Sequence, residues 1–187
     1  FNYTGPYCQD ANDPSPVFGT GANAGTFSAS PSGLVFVSTS TGQVDLSAST
    51  AGTYTVTNSI AAAGGCAATS DTAIITINAI PTVSVPSDIT VCTNGTVSAT
   101  NFTSTPAGGT FTWTNSNTAI GLSASGTGNI ASFTATNTGA SPISATISVT
   151  PSLNNCTGTP STYSITVSPV PAVTLPANIT VCHNNTV

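Results

Sequence analysis

The stretch PTVSVPSDITVCTNGTV, residues 81–97, decides how this chain is organised. It returns without a gap as PAVTLPANITVCHNNTV, residues 171–187, with Pro81, Ile89 and Cys92 among the positions that recur. A repeat with a period this long is typical of whole domains in tandem, because short-period solenoids repeat every 20 to 50 residues or so. The sequence therefore predicts a chain of modules joined end to end.

The region before this stretch, 1–80, fits the same frame. In each half an early cysteine is followed at the same distance by a phenylalanine, and a late cysteine precedes a proline at the same distance. These residues are Cys8, Phe27, Cys66 and Pro81 in the first half, and Cys92, Phe111, Cys156 and Pro171 in the second. We therefore predict module 1 at 1–79 and module 2 at 80–169. Residues 170–187 are predicted to be the first strand of a third module, cut before its core.

The local patterns within each module predict short β-strands. TFTWT (110–114), ISATISV (143–149) and YSITV (163–167) alternate apolar and hydroxyl side chains, and TYTVT and AIITI do the same in the first half. Helix formers are scarce, and turn signals such as PSG and PAGG separate the strands. The predicted fold is all-β: tandem Ig-like β-sandwich domains joined by short links that contain proline. The link PTVSVPSD is too short and proline-rich for a loose hinge.

The cysteines are predicted to form one bridge inside each module, Cys8–Cys66 and Cys92–Cys156. Each bridge would close a loop of roughly 60 residues, worth about 4 kcal/mol in the chain-entropy model. Persistent disulfides are typical of an oxidising, extracellular setting. Cys182 then becomes half of a bridge whose partner lies outside this segment, which explains the odd cysteine count.

Charge excludes several functions. The chain has no Lys or Arg, and its charged side chains are five aspartates, so it cannot neutralise the phosphates of a nucleic acid. The same lack removes attraction to anionic lipids. No run of about 18 apolar residues is present, so a membrane-spanning helix is not expected. Nucleic acid partners and membrane insertion are therefore not predicted.

Two long stretches resemble a known family. Residues 7–66, from YCQDANDPSPVFGTG to IAAAGGC, resemble one repeat type of very large bacterial surface proteins, and residues 108–169, from GGTFTWTNSN to YSITVSP, resemble their PKD-like repeats. These proteins are the gliding-motility-associated adhesins of Bacteroidetes that the type IX system secretes. The resemblance implies a secreted, repetitive cell-surface filament or adhesin, and it supplies no catalytic residues.

The residues for catalysis are few. A Ser-His-Asp hydrolase needs a histidine base oriented by an acid. His183 is the only histidine, and Thr93 takes its place in the earlier copy of the repeat. The aspartates are scattered singly, apart from Asp10 and Asp13. We therefore predict no enzymatic activity and no catalytic residue.

A weak calcium candidate lies at DANDPSPVF, residues 10–18, which resembles the cadherin phrase Asp-x-Asn-Asp-Asn-x-Pro-x-Phe. Asp10, Asn12 and Asp13 supply side-chain oxygens, but Pro14 replaces a ligand and the chain has no glutamate. The phrase also follows an early cysteine and is not predicted to lie at a module junction. A Pro/Asx turn that caps the first strand is the preferred interpretation, and no cofactor is predicted.

Two further side chains are candidate sites. Asp71-Thr72-Ala73 resembles the Asp-Ser/Thr-apolar signal for O-glycosylation in Bacteroidetes, which makes Thr72 a candidate. Trp113 could stack on a sugar, but its alternation with Phe111 predicts a core residue.

The sequence thus predicts a non-enzymatic structural segment of an extracellular filament or adhesin stalk, whose partners are neighbouring repeats. Two alternatives remain open. One is a self-assembling subunit that uses residues 171–187 as a donor strand in a neighbour, by β-augmentation. The other is a carbohydrate-binding module, which would need exposed aromatic side chains.

Overall fold

The computed structural model describes residues 1–171, and the strand predicted at 170–187 lies almost wholly outside that range. The described chain is all-β, with one short 3₁₀ turn at Thr118–Ile120. Its strands are β1 Tyr7–Cys8, β2 Thr26–Ser30, β3 Val35–Ser38, β4 Gln43–Asp45, β5 Gly52–Ile60, β6 Thr69–Asn78, β7 Thr82–Ser84, β8 Ile89–Cys92, β9 Thr96–Val97, β10 Thr103–Thr105, β11 Thr110–Asn115, β12 Ser125–Thr127, β13 Phe133–Thr134, β14 Ile143–Leu153, β15 Cys156–Thr157 and β16 Ser161–Ser168. Residues 1–171 contain no helix with the length and hydropathy of a membrane span.

The first half of the described chain, up to the end of β6, contains a four-stranded sheet in the order β1-β6-β5-β2, with β3 and β4 paired separately. The long antiparallel pair β5–β6 is its centre, and the side chains that point inward from it are mostly apolar and those that point outward mostly carry hydroxyls. β1 runs parallel to the end of β6, with Tyr7 opposite Ile77 and Cys8 opposite Asn78. This parallel pairing places the early cysteine beside the last residue of the last strand.

The second half, from β7 to β16, repeats the plan with a larger sheet in the order β12-β11-β14-β16-β8, and β15 pairs antiparallel with the end of β14. Here β8 runs parallel to β16, with Cys92 opposite Ser168. Two small pairs, β7–β10 and β9–β13, complete this half. Because both halves pair their first long-sheet strand parallel to their last, Cys8 and Cys92 occupy the same place in the two sheets.

Each half has its own hydrophobic core, and the chain passes from one core to the other through 79–81. The first core contains Tyr3, Phe27, Val44, Leu46, Tyr54, Val56, Ile75 and Ile77. The second contains Trp113, Ile120, Ile130, Ile147, Val149, Tyr163, Ile165 and Val167, with others around them. The inward faces predicted for β11, β14 and β16 are therefore confirmed, as is the core position of Trp113, which is 7% exposed.

Buried asparagines fasten the irregular segments to the sheets. Asn58 in β5 accepts a hydrogen bond from Gly25 N at 2.7 Å and donates one to the Asn23 carbonyl at 2.9 Å. Asn137 donates to the Val167 carbonyl at 2.8 Å. An amide both donates and accepts, so a single side chain can satisfy several loop backbone groups without a charge.

Candidate functional site

A disulfide joins the two halves of the described chain. Cys8 bonds to Cys156, at a sequence separation of 148, with the two Cα atoms 5.6 Å apart. The predicted bridges Cys8–Cys66 and Cys92–Cys156 are therefore wrong. We call the region around this bond, where the end of β6 meets the turn before Cys156, the junction.

Strand direction explains why the predicted pairs do not form. Cys66 precedes the start of β6, whereas Cys8 lies beside the end of that strand at Asn78. An extended chain rises about 3.3 Å per residue, so β6 alone, from Thr69 to Asn78, spans on the order of 30 Å. A disulfide needs Cα atoms within about 7 Å of each other. The two cysteines of the first half thus lie at opposite ends of that half. In the second half, the parallel pairing of β8 with β16 separates Cys92 from Cys156 in the same way.

Cys156 sits at the tip of a β-hairpin. Leu153 pairs with Cys156, and Asn154 and Asn155 between them have φ of 50° and 65°. Positive φ at both central residues is the signature of a type I′ turn, whose twist matches the flanking strands and which asparagine and glycine favour. The turn delivers the cysteine, 1% exposed, to the pole that faces the first half.

Cys8 is held by the parallel strand pair. Gln9 N donates to the Asn78 carbonyl at 3.1 Å, and Ala11 N closes a turn onto the Cys8 carbonyl at 3.0 Å. The same strand end provides a second tie across the junction, because Asn78 Nδ2 donates to the Asn154 carbonyl at 3.3 Å. A covalent bond and a hydrogen bond therefore join the same two segments.

The link between the halves is packed at this place. Pro81 is fully buried, as is Pro151 near the end of β14. Gly158 is buried against the Pro81 carbonyl, and a Cβ at position 158 would overlap that oxygen. The chain enters β7 directly after Pro81. The expectation that the link is not a loose hinge agrees with this packing.

The other two described cysteines carry no bond. Cys66 and Cys92 are free and exposed. Cys66 lies at the end of the first half that is remote from the junction, and Cys92 lies at the end of the second half that is remote from it. The sequence predicted both to be bridge partners inside their modules. Cys182 and His183 lie outside the described residues, as does the predicted donor strand from residue 172 onward.

The three calcium candidates follow β1 and are all exposed. Asp13 uses Oδ1 to accept a hydrogen bond from Leu46 N at 2.9 Å. Within residues 1–171 no group of three acidic, histidine or cysteine side chains could hold a metal ion. The phrase does lie next to the junction, contrary to expectation, because Cys8 bonds to Cys156 there.

Thr72 is exposed on the outer face of β6. It stands between the exposed Asp71 and the half-buried Ala73, and Ile74, which is 66% exposed, lies next to it on the same face. A sugar on Thr72 would extend into solvent and lie over that apolar side chain. Glycosylation of Thr72 stays a prediction.

The grooves of the described surface carry little chemistry. An open groove of about 600 Å³ follows β8 and β9 and is lined by aliphatic, hydroxyl and amide side chains, Val91, Val97, Thr100 and Asn101 among them. A smaller one of about 260 Å³ lies by Phe1, Phe18 and Asn58, with Asp71 as its single carboxylate. Neither groove supplies an acid–base pair or a nucleophile next to a base.

Aromatic side chains do not form an exposed platform within residues 1–171. The large apolar side chains that are exposed there are four valines and Ile74. The aromatic residues belong to the two cores or pack against them. A sugar-stacking surface would need a flat, accessible ring, which the described surface does not offer.

Comparisons with solved structures return cadherin domains and fibronectin(III)-like modules. Mouse cadherin-23 EC22-24 is 12% identical with a TM-score of 0.38, over 78% of this chain and 53% of that one. Drosophila N-cadherin EC1-4 is 10% identical with a TM-score of 0.45, over 87% and 46%. The fibronectin(III)-like modules of Clostridium thermocellum CbhA are 12% identical with a TM-score of 0.37, over 86% and 87%. This chain spans about half of either cadherin fragment.

No family model matches the sequence, and no curated protein does. The structural neighbours are Ig-like, fibronectin-III and cadherin domains, and the all-β fold with paired sheets accords with an Ig-like repeat module.

Proposed function

We propose that this chain is a non-enzymatic segment of a long extracellular stalk, part of a bacterial cell-surface filament or adhesin that serves adhesion or gliding. In this proposal residues 1–79 and 80–169 are successive modules and residues 170–187 begin a third. The observation that carries it is the Cys8–Cys156 bond, which joins two halves that each have a hydrophobic core of their own.

A bond in this position has a mechanical consequence. Neighbouring domains on one chain move relative to each other unless their interface is large or otherwise fixed. Here the disulfide, the Asn78–Asn154 hydrogen bond and the buried Pro81 restrain the junction together. A stalk must transmit force and hold its tip away from the cell, and a fixed junction serves both needs.

Composition supports the same setting. A disulfide persists in an oxidising environment outside the cytosol. The absence of Lys and Arg leaves no site for trypsin-like proteases, and the outward strand positions are mostly Thr and Ser. The resemblance of residues 7–66 and 108–169 to repeats of type IX secreted gliding adhesins assigns the segment to the bacterial surface in this proposal.

Two measurements test the proposal. Small-angle scattering of the chain should give one narrow distribution of interatomic distances, which broadens in the Cys8→Ser/Cys156→Ser double variant. Antibodies raised against residues 1–171 should label intact cells of the source and reduce their attachment to surfaces. Labelling only after permeabilisation would contradict the surface assignment, and unchanged scattering would contradict the stiffening role of the bond.

A further inference from the structure

Cys92, the free cysteine of the second half, has the same backbone surroundings as the bonded Cys8. Cys92 ends β8 parallel to the end of β16, as Cys8 ends β1 parallel to the end of β6. Thr93 N donates to the Ser168 carbonyl at 2.8 Å, and Gly95 N closes a turn onto the Cys92 carbonyl at 2.9 Å. Gln9 and Ala11 make the same two bonds around Cys8. The backbone that positions the bonded Cys8 is thus repeated around the exposed Cys92.

Cys66, the free cysteine of the first half, follows the same kind of turn as the bonded Cys156. Ala63 pairs with Cys66 across Gly64 and Gly65, whose φ values are 59° and 85°. This is the two-residue turn with positive φ that also presents Cys156, with glycines in place of asparagines. Cys66 is exposed at a hairpin tip, whereas Cys156 at the matching tip is buried at the junction.

We infer that Cys92 and Cys66 are inter-module linkage sites: Cys92 takes the hairpin-tip cysteine of a following module, and Cys66 takes the strand-end cysteine of a preceding one. The inference rests on the proposed modular stalk. Each junction along the array would then carry one disulfide of the Cys8–Cys156 kind. The covalent path would cross every junction twice, through the main chain and through sulfur.

The chemistry is an oxidation with an external oxidant. Two thiols lose two protons and two electrons as the sulfur–sulfur bond forms, and a small-molecule disulfide such as oxidised glutathione accepts them and becomes two thiols. The reaction passes through a mixed disulfide on one cysteine, which the second thiolate attacks. Both sites are accessible to such a reagent, because Cys66 and Cys92 are exposed.

One position distinguishes the two hairpin tips. Ala68 stands two places after Cys66, where Gly158 stands after Cys156 and packs against the Pro81 carbonyl. A neighbour that docks at Cys66 therefore meets a methyl group that the observed junction does not have. The turn before Cys66 has the same form as the turn before Cys156, but Ala68 would hold the neighbour's backbone further away than Gly158 holds the Pro81 carbonyl.

The test uses two variants of the chain, both with Cys182→Ser to remove the remaining thiol. One also carries Cys66→Ser and keeps Cys92, and the other carries Cys92→Ser and keeps Cys66; one of the two is isotope-labelled. Each is oxidised with glutathione disulfide, alone and mixed, at high concentration, and dimers are identified by intact mass and peptide mapping. Recovery of Cys8–Cys156 after reduction in the same sample is the control for competent oxidation.

Cys92–Cys66 heterodimers should exceed either homodimer by about ten-fold, because only the unlike pair reproduces the junction geometry that a disulfide requires. Ala68→Gly should raise their yield. Dimers in the proportions of random collision, or glutathione adducts without dimers while Cys8–Cys156 re-forms, would overturn the inference. A Cys92–Cys182 bond in the parent chain would overturn it as well.

A second experiment determines which polypeptide supplies the cysteine that bonds to Cys92 in the native protein. Peptide mapping of surface material without reduction should join Cys92 to a hairpin-tip cysteine further along the same polypeptide if the array is continuous, and to Cys66 of another copy if the filament is assembled from subunits. Cys92 recovered as a free thiol would reject both. This result is independent of cell labelling, so the linkage and the stalk function can fail separately.

Discussion

Gly158 lies directly against the carbonyl oxygen of Pro81, where the second half of the molecule receives the link from the first. The contact is backbone against backbone, so neither partner can turn away to make room. Replacing Gly158 with alanine should lower the free energy of unfolding by about 2 kcal/mol, as overpacking of a tight contact does. Thermal or chemical unfolding measures the loss.

The matched control is Gly19→Ala, since nothing lies within 4 Å of a Cβ at that position. Gly19→Ala should leave stability unchanged or raise it slightly. If both variants unfold at the same temperature as the parent, the junction is not packed as described.

The buried amide of Asn137 fastens the loop after β13 to the end of β16. Its Nδ2 donates to the Val167 carbonyl at 2.8 Å and to the Ser141 carbonyl at 2.9 Å, and its Oδ1 accepts from Gly139 N at 2.9 Å. Asn137→Ala should cost about 2 kcal/mol, because it leaves these groups without partners in a buried site. Denaturant titration tests this, with the exposed Asn101→Ala as control; equal effects would refute the role of the amide.

Tyr3 provides a pH-dependent test of the first core. Burial, with the neighbouring Tyr7 as a lesser cause, raises the pKa of Tyr3 to about 12 from 10.0, and the neutral hydroxyl donates to the Gly42 carbonyl at 2.6 Å. Because the folded pKa is the higher one, this contribution to stability is complete below pH 10 and disappears as the pH rises from 10 to about 12.

Tyr3→Phe should therefore lower stability by about 1 kcal/mol at neutral pH, the value of a buried hydrogen bond. The difference from the parent should shrink toward high pH as the Tyr3 hydroxyl ionises. Burial also raises the pKa of Tyr163, so the parent should show two late components in a titration of tyrosinate absorbance. Tyr3→Phe should remove one of the two, and Tyr7→Phe should remove neither. A parent curve with fewer than two late components, or one that Tyr3→Phe leaves unchanged, would mean that Tyr3 is not buried as described.

Substitutions of Asp13 distinguish a backbone-capping role of this side chain from calcium binding. Its Oδ1 accepts a hydrogen bond from Leu46 N, a task that an asparagine oxygen can also perform. Asp13→Asn should keep nearly the full melting temperature, whereas Asp13→Ala should lose about 1 kcal/mol. Chelator should change neither value. A drop with chelator in the parent, together with an equal loss in both variants, would instead support the calcium hypothesis for Asp10, Asn12 and Asp13.

Much of the fold follows from residue patterns. The alternation in β11, β14 and β16 decides which side chains enter the second core, and Trp113 lies there as its spacing with Phe111 predicts. The pattern of ASFTAT (131–136) likewise predicts the strand at β13. The short strand β9 is harder to detect, because two paired residues leave almost no alternation. The long-period repeat is visible directly, as the two quoted copies align without a gap.

The cysteine pairing could not be obtained from spacing alone. Equal spacing in the two halves favours pairs within a module, but the long run of β6 between Cys66 and the link already places that cysteine at the far pole. The parallel pairing of β1 with β6, which the sequence does not reveal, places Cys8 at the end of the first half that faces the second. Which early cysteine meets which late one depends on how two modules abut, and no local pattern encodes that contact.

The disulfide map of the chain without reduction tests the Cys8–Cys156 bond most directly. Trypsin has no site, so chymotrypsin or pepsin must supply the peptides. We predict one crosslinked species that joins the peptide of Cys8 to the peptide of Cys156, with Cys66 and Cys92 outside it. A crosslink between Cys8 and Cys66, or between Cys92 and Cys156, would contradict the bond across the junction.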